Sequence, residues 1–440
     1  MKQTEALDIL KMGHNVFLTG PPGAGKTYVL NSYISYLKQH QIPVGITAST
    51  GIAATHIGGM TIHSWSGIGI REHIAEETLE KLASKSPLTR RITNTKVLII
   101  DEVSMLHGKR LDMVNQICKH IKRSDKSFGG MQVVLTGDLF QLPPINRARD
   151  SNVDFVFKSK AWQELNLKIC YLSEQHRQHD DELLGILHKI RRNEAGFSEL
   201  DTLQTRQIDE LETNATRLYT HNADVDAINQ QKLQDISEDI VIFDAATKGN
   251  KVAVESLTTS CLAPVKLELK LGAEIMTVIN DQQQRFVNGS RGVVIGFHED
   301  TNAPQIKLHG DNRVITLERY TWVMGEADKI IAELAQYPLR LAWAITIHKS
   351  QGMSLDEAEV DLGRSFEPGM GYVALSRVRS LDGLILRGIN DLALQVHPEI
   401  LKFDDSLQAK SRAIEKALSA MEQDQINQSH GRMQASLAPK

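Results

Sequence analysis

The segment GPPGAGKT, Gly20 to Thr27, lies directly between the apolar run NVFLT and the helical run YVLNSYISYLK. This order constrains the chain more than any other feature. A strand that ends in a glycine-rich turn and passes straight into a helix belongs to an open α/β sheet, with the turn at the C-terminal edge of the strands. Gly20, Gly23 and Gly25 allow the backbone to curl so that N–H groups point inward, and the helix start adds its positive end. Such a turn is shaped for phosphate. Lys26 supplies a point charge for β- and γ-phosphates, and Thr27 supplies a hydroxyl for magnesium. Pro22, Ala24 and Tyr28 complete the surface expected against the nucleotide. ATP and Mg2+ are the expected cofactors.

Three further apolar runs, PVGITAS, KVLIID and MQVVLTGD, are separated by amphipathic stretches. Short continuous apolar strands alternating with helices are the pattern of a parallel sheet covered on both faces. Ile68 to Thr95, with charged helical stretches and Pro87, reads as an insertion in this sheet. A second alternating region opens at Arg217 with RLYTHNADVDAINQQ, a strand and then a helix that Asn222 or Asp224 can cap. From about Pro264 to Trp322 the texture changes to β-branched residues and turn signals, VNGSRG and LHGDNR, which predicts a small antiparallel β-barrel inserted in the second region. The α/β pattern resumes at LRLAWAITIHKSQG and reaches GLILRG. The expected division is 1–170, 171–263, the inserted 264–322, 323–403, and a tail over 404–440 that is helical and then disordered from about Gln425.

At 440 residues the chain needs more than one core. Its formal charge of -4 gives no overall basic character, so a nucleic-acid partner has to be argued from local sites. Cys118, Cys170 and Cys261 are far apart, without metal-ligand spacing, and read as buried small hydrophobes. The opening MKQTEALDIL is too polar for a secretory signal, and no run approaches the roughly eighteen apolar residues of a membrane span. A soluble cytoplasmic location, with no membrane partner, is expected.

Two further strand ends carry chemistry. KVLIIDEVSML delivers Asp101 and Glu102 to the ligand-binding edge. Asp101 is placed to hold magnesium through water, and Glu102 to take a proton from an attacking water; the alternative is a solvated acidic pair. VVLTGDLFQLPP brings Gln141, which can hydrogen-bond a γ-phosphate or its attacking water.

The ordered set GPPGAGKT, TASTGIAA, TIHSWSGIG, LIIDEVSML, TGDLFQLPP, EQHRQ, VNGSRGVVIGF, AITIHKSQGMSL and YVALSRVRS resembles the motifs of the PIF-type helicases of superfamily 1, relatives of RecD-like and Dda-like enzymes. The resemblance covers roughly residues 1–395 and implies two RecA-like parallel-sheet domains of the P-loop NTPase type, with the wedge-like insertion about 68–95 in the first and the small barrel in the second. It implies that Gln3 reads adenine and that Arg177 and Arg377 reach the γ-phosphate from the second domain, against the alternative of surface salt bridges. Ser49, Thr50, Thr61, His63, Trp65, Thr346, His348 and Lys349 match its single-strand contacts. Trp65 offers a ring for base stacking, with core packing as the alternative; for His63 and His348 the alternative is a structural histidine. The implied partners are single-stranded DNA and forked or tailed duplex, bound by a monomer that translocates 5′ to 3′. Two other readings are a RecD-like motor subunit of a recombination complex and a single-strand remodeller with little unwinding.

Overall fold

The computed structural model describes all residues except 70, 72, 145–152, 175–179, 209–214, 262, 280, 282, 284, 287–289, 310, 311, 327, 328, 352–354 and 438–440. The chain forms two compact units, Met1–Thr202 with Ser365–Leu381 and Asp391–Lys440, and Leu203–Arg364 with Asp382–Asn390.

In the first unit, β1 (Val16–Thr19), β2 (Val44–Ala48), β3 (Met60–Thr61), β4 (Val97–Asp101), β5 (Gln132–Thr136) and β6 (Lys168–Tyr171) make one sheet in the order β3-β2-β4-β5-β1-β6. Every pairing in it is parallel. All four apolar runs read from the sequence are strands of this sheet. β1 and β5 are buried at every position, as strands covered on both faces must be. β3 has only two residues, too few to show a period, and edge strand β6 buries only Ile169 and Cys170, so it lacks the continuous apolar run of the central strands.

Helix α1 (Gln3–Lys11) and helix α2 (Lys26–Gln39) pack on one face of this sheet through Ala6, Ile9, Leu10, Val29, Leu30, Tyr33 and Leu37. The 68–95 insertion folds as two helices, Glu76–Ala83 and Ser86–Asn94, the second with Pro87 in its first turn. Leu82 and Leu88 close over Gly67, and the Arg91 guanidinium donates to the Trp65 carbonyl at 2.7 and 3.0 Å.

The C-terminal tail is helical to Leu437, which corrects the expected disorder after about Gln425: Pro398–Ser419 is followed by Gln423–Leu437. Its polar composition hid a sparse apolar stripe. Leu418, Ile426 and Met433 join the core under α1 and α2, and Met433 sits where a Cβ on Gly13 would collide. In the last helix two buried side chains, Ile426 and Met433, form that stripe while its other faces are largely solvated.

The second unit holds a four-stranded parallel sheet of Thr216–Tyr219, Ala344–Thr346, Ala358–Leu362 and Leu384–Ile389. The helix Asn222–Asp235 packs on it, and the Asn229 amide pairs with both backbone groups of Ala344 at 2.9 Å. Its N-cap is His221, without a side-chain cap bond, where Asn222 or Asp224 was expected. The intervening segment is antiparallel as predicted. Among the described residues it forms an open five-stranded sheet in the order Val314–Thr316, Pro304–Leu308, Arg291–Phe297, Glu274–Thr277, Leu339–Leu341, with two- and three-stranded sheets beside it. The β region therefore runs past Trp322 to Leu341 and recruits Val241–Asp244 and Ala246–Gly249. All three cysteines are buried, as expected.

Met433→Ala should lower stability by about 2–5 kcal/mol, the usual cost of emptying a buried methionine site. A thermal melt of the full chain, compared with an exposed control such as Gln428→Ala, reads this directly.

Candidate nucleotide site

Parallel pairing sets the site. β5 lies between β4 and β1, with Leu135 beside Ile100 and Thr136 beside Leu18. The C-terminal ends of all three strands therefore open at one edge, bringing Gly20–Thr27, Asp101–Glu102 and the Asp138–Gln141 turn together. The Gly137 N–H donates to the Leu18 carbonyl at 3.2 Å and ties the last of these to the first.

In the glycine turn, Gly23 and Gly25 have φ of 85° and 83°, and Gly25 is the N-cap of α2. A Cβ on Gly25 would collide with the Gln3 side chain, whose amide donates to the Ala24 carbonyl at 3.2 Å. Gln3 thus lies against the turn. Lys26 Nζ donates to the carbonyls of Gly20 and Pro21 at 2.9 and 3.1 Å, folding its ammonium back over the turn. Thr27 and Tyr28 are exposed at the start of the helix, while Pro22 and Ala24 are buried.

Asp101 ends β4 and accepts the Glu102 N–H at 2.9 Å. Burial, and next the negative charge of Glu102, push its carboxyl up to about 7. Glu102 itself takes a left-handed backbone, φ 52°, which turns the chain sharply after the strand. The Gln141 Oε1 is buried with no hydrogen-bond partner. A buried amide oxygen left unpaired costs about 1–3 kcal/mol, so this atom is built to meet another group.

These features fit a nucleoside triphosphate with magnesium. The turn offers N–H groups and an ammonium to phosphates, Thr27 and Asp101 supply hard oxygen donors, and Gln141 keeps a vacant acceptor. Among the described residues no cluster of three or more His, Cys, Asp or Glu could hold a metal alone. Magnesium takes one or two protein oxygens and completes its shell with phosphate and water.

Comparison with known proteins agrees with this geometry. The model of the PIF1-like helicases matches residues 2–200, and that of the DNA helicase Pif1 2B domain matches residues 254–297. An ATP-dependent DNA helicase Pif1 from Psychrobacter sp. (strain PRwf-1) is 43% identical, over 98% of this chain and 74% of that protein. The chain belongs to the PIF1-like helicase family. A Pif1 helicase of the same name from Bdellovibrio bacteriovorus is 36% identical over 91% of this chain and 90% of its own length. The crystal structure of Pif1 helicase from Candida albicans superposes with a TM-score of 0.83 at 32% identity, covering 92% of this chain and 98% of that one. Bacteroides sp Pif1 in complex with ADP-AlF4 superposes at 0.76 and 30% identity, over 93% and 96%. The mixed α/β, RecA-like fold expected from the motifs is thus shared with these Pif1 helicases.

The other motif residues take different positions. Ser49 is buried and its hydroxyl donates to the Glu102 carbonyl at 2.6 Å, so it braces the acidic turn. Thr50 accepts the Ala53 N–H at 3.2 Å, and Thr61 accepts the Ser64 N–H at 3.2 Å as an N-cap. Trp65 is 2% exposed and its indole fills the space over Gly45, so the ring lies in the core, the alternative that the sequence left open. His63 keeps a buried Nε2 without a partner; burial, then Arg110 and His107, hold its imidazole down at about 4, neutral at physiological pH. Thr346 is buried at the end of its strand; His348, which burial also keeps below the usual range, and Lys349 form the short helix that follows. Arg177 lies outside the described residues.

Arg377 is 1% exposed, with Nε donating to Val373 at 2.8 Å and Nη2 to Ser376 Oγ at 2.7 Å. It falls in the same compact unit as Lys26, where the sequence reading had put it in the second domain. The helix Met370–Leu375 that leads to it packs against the first unit's own loop, because Gly369, at φ 93°, brings its backbone against the carbonyls of Phe140 and Gln141. Residues 171–202 and 391–403 likewise belong to the first unit by their packing.

Trp65→Leu should lower the melting midpoint while leaving the single-stranded DNA affinity of the folded protein unchanged. A base-stacking role would instead remove about 1–3 kcal/mol of affinity, which fluorescence titration distinguishes.

Proposed function

We infer that this chain is an ATP-driven DNA helicase that moves 5′ to 3′ on single strands and opens forked or tailed duplex. The observation that carries the reading is the convergence of Lys26, Asp101 and the unpaired Gln141 oxygen at three adjacent strand ends. Relatives matched over 98% and 91% of the chain are named ATP-dependent DNA helicases, which favours a free-standing helicase over a RecD-like motor subunit. One Bacteroides Pif1 structure, 29% identical, holds ADP-AlF3 and ssDNA. Another Pif1 structure, 31% identical, concerns DNA unwinding at forked dsDNA by two coordinating Pif1 helicases.

In this reading Gln3 recognises the base, Tyr28 flanks it, and Lys26 with the N–H groups of the turn holds the phosphates. Thr27 and Asp101 would hold magnesium, which supplies charge neutralisation at the phosphates when bound. Glu102 accepts a proton from the attacking water while Gln141 orients it. Arg377, with Arg177 from its own motif, meets the charge that develops on the transferred group; such arginines contribute about 10³–10⁵ in rate in related phosphoryl-transfer enzymes. His63 with Thr61, and His348 with Lys349, form two strand grips through neutral and cationic contacts to the backbone. The paired helices of 76–94 are the wedge, and the antiparallel β region is the DNA clamp. No helix among the described residues is long and apolar enough to cross a membrane.

ATP hydrolysis should rise strongly with single-stranded DNA and vanish in Lys26→Ala; turnover indifferent to DNA would end the helicase reading. A duplex with a 5′ tail should open in a strand-displacement assay and one with a 3′ tail should not. The opposite result would reverse the polarity.

A further inference from the structure

A buried cluster of charged and phenolic side chains in the first unit lies beside the nucleotide site. Arg191, at the end of the helix Asp181–Arg191, is nearly enclosed, and Asp138 is fully enclosed. One guanidinium nitrogen, Nη1, donates to both Asp138 carboxylate oxygens at 2.8 and 2.9 Å and to the Tyr372 hydroxyl at 2.7 Å. Tyr372 in turn donates to Asp138 Oδ2 at 3.0 Å, closing a triangle. The other nitrogen, Nη2, donates to the Tyr171 hydroxyl at 2.8 Å, which donates to Asp404 at 3.2 Å. The guanidinium plane also lies over the Phe140 ring, 4.1 Å from its centroid. Arg191, Tyr372, Pro21 and Pro22 line one small cavity, so the cluster abuts the first residues of the phosphate turn.

Asp138 is the pivot of the turn that carries Gln141. It accepts the Phe140 N–H on Oδ1 at 3.2 Å, and its carbonyl accepts the Gln141 N–H at 3.0 Å. Tyr372 belongs to the helix on which Arg377 is braced, and Gly369 at its start lies so near the Phe140 and Gln141 carbonyls that a Cβ there would crowd them. Arg191 therefore joins, through one guanidinium, the loop that aims Gln141 and the helix that carries Arg377. Neither of the two groups expected at the γ-phosphate can shift without straining a buried, charge-assisted hydrogen bond.

We propose that Arg191, acting through Asp138 and Tyr372, is a positioning residue for ATP turnover that keeps Gln141 and Arg377 in fixed register with each other. The proposal rests on the reading that Gln141 and Arg377 act at the γ-phosphate. Its signature is kinetic. The cluster touches neither base nor ribose in this assignment, so loosening it should lower kcat and leave the KM for ATP and the affinity for ADP near their wild-type values. Misplacement of reacting groups by an ångström costs on the order of 10²-fold in rate.

Removing Arg191 outright would strand the Asp138 carboxylate in the interior and risks an unfolded protein. Tyr372→Phe is the cleaner test, because it keeps the ring and deletes only the hydroxyl that ties the helix to Asp138; Arg191→Lys, which keeps the charge but loses the fork, is the second variant. The measurements are DNA-stimulated kcat and KM at saturating single-stranded DNA, the melting midpoint, and binding of ADP alone against ADP with aluminium fluoride, run beside Gln141→Ala. The expected result for Tyr372→Phe is a kcat lower by about 10-fold, the scale of one lost hydrogen bond. Arg191→Lys should lose more. In both, affinity for ADP with aluminium fluoride should fall by a similar factor while ADP affinity holds. A purely structural role would lower the melting midpoint but leave kcat per folded molecule and the two affinities unchanged, and that outcome overturns the proposal. Equal weakening of ADP and of the fluoride complex overturns it too. If Gln141→Ala turns over at the wild-type rate, the underlying reading of Gln141 falls and takes the proposal with it. A slow Gln141→Ala beside a fast Tyr372→Phe rejects the proposal alone.

Discussion

The chemistry of this chain depends on β5 being inserted, in parallel, between β4 and β1. Sequence order alone would set the strands side by side as they are synthesised; the observed order β2-β4-β5-β1 instead gathers three segments that intervening helices and loops separate in the chain. Because all three strands run the same way, their C-terminal ends coincide, and each ends in a residue with a different chemical capacity: an ammonium after β1, carboxylates after β4, an unpaired amide after β5. An antiparallel neighbour would have sent one of these to the opposite edge of the sheet. Ser49 at the end of β2 supports the arrangement by holding the Glu102 carbonyl at 2.6 Å, so a residue read as a nucleic-acid contact also maintains the acidic turn.

Burial of charge is what makes the arrangement stiff. The Arg191 guanidinium satisfies Asp138, Tyr372 and Tyr171 at once, and Asp404 lies behind Tyr171, its carboxyl pushed up by burial. Desolvating such groups is expensive, and the cost is offset only while every donor and acceptor keeps its partner. A cluster of this kind therefore tolerates little movement, in contrast to the exposed Thr27 and Tyr28 a short distance along the same site. The C-terminal helix Pro398–Ser419 is bound into it through Asp404, and the last helix, Gln423–Leu437, closes the core beneath α1 and α2. The end of the chain is thus part of the ATPase unit.

Much of the fold was legible because central strands of a parallel sheet must be apolar throughout, and NVFLT, KVLIID and MQVVLTGD show this without ambiguity. The glycine turn was legible because positive φ at Gly23 and Gly25 excludes most other residues there. The tail was misread because its mean composition is polar while its core contacts come from a few widely spaced apolar residues, chiefly Leu418, Ile426 and Met433. Trp65 and Arg191 show the limit from opposite sides. A tryptophan in a polar motif suggested base stacking, yet it fills the space over Gly45. Arg191, which lies in none of the motifs, is the centre of the buried network.

The sequence by itself determined the parallel α/β architecture, the phosphate turn, the acidic strand end and the glutamine loop, because each is a local pattern whose residue types are dictated by backbone geometry or by burial on both faces. Only the tertiary structure decided that the helix bearing Arg377 packs with the first sheet's loop and that Arg191, Asp138 and Tyr372 meet. Those residues come from segments up to 234 positions apart. No local period or spacing encodes such a meeting; it follows from which buried charges can satisfy one another once the chain has closed.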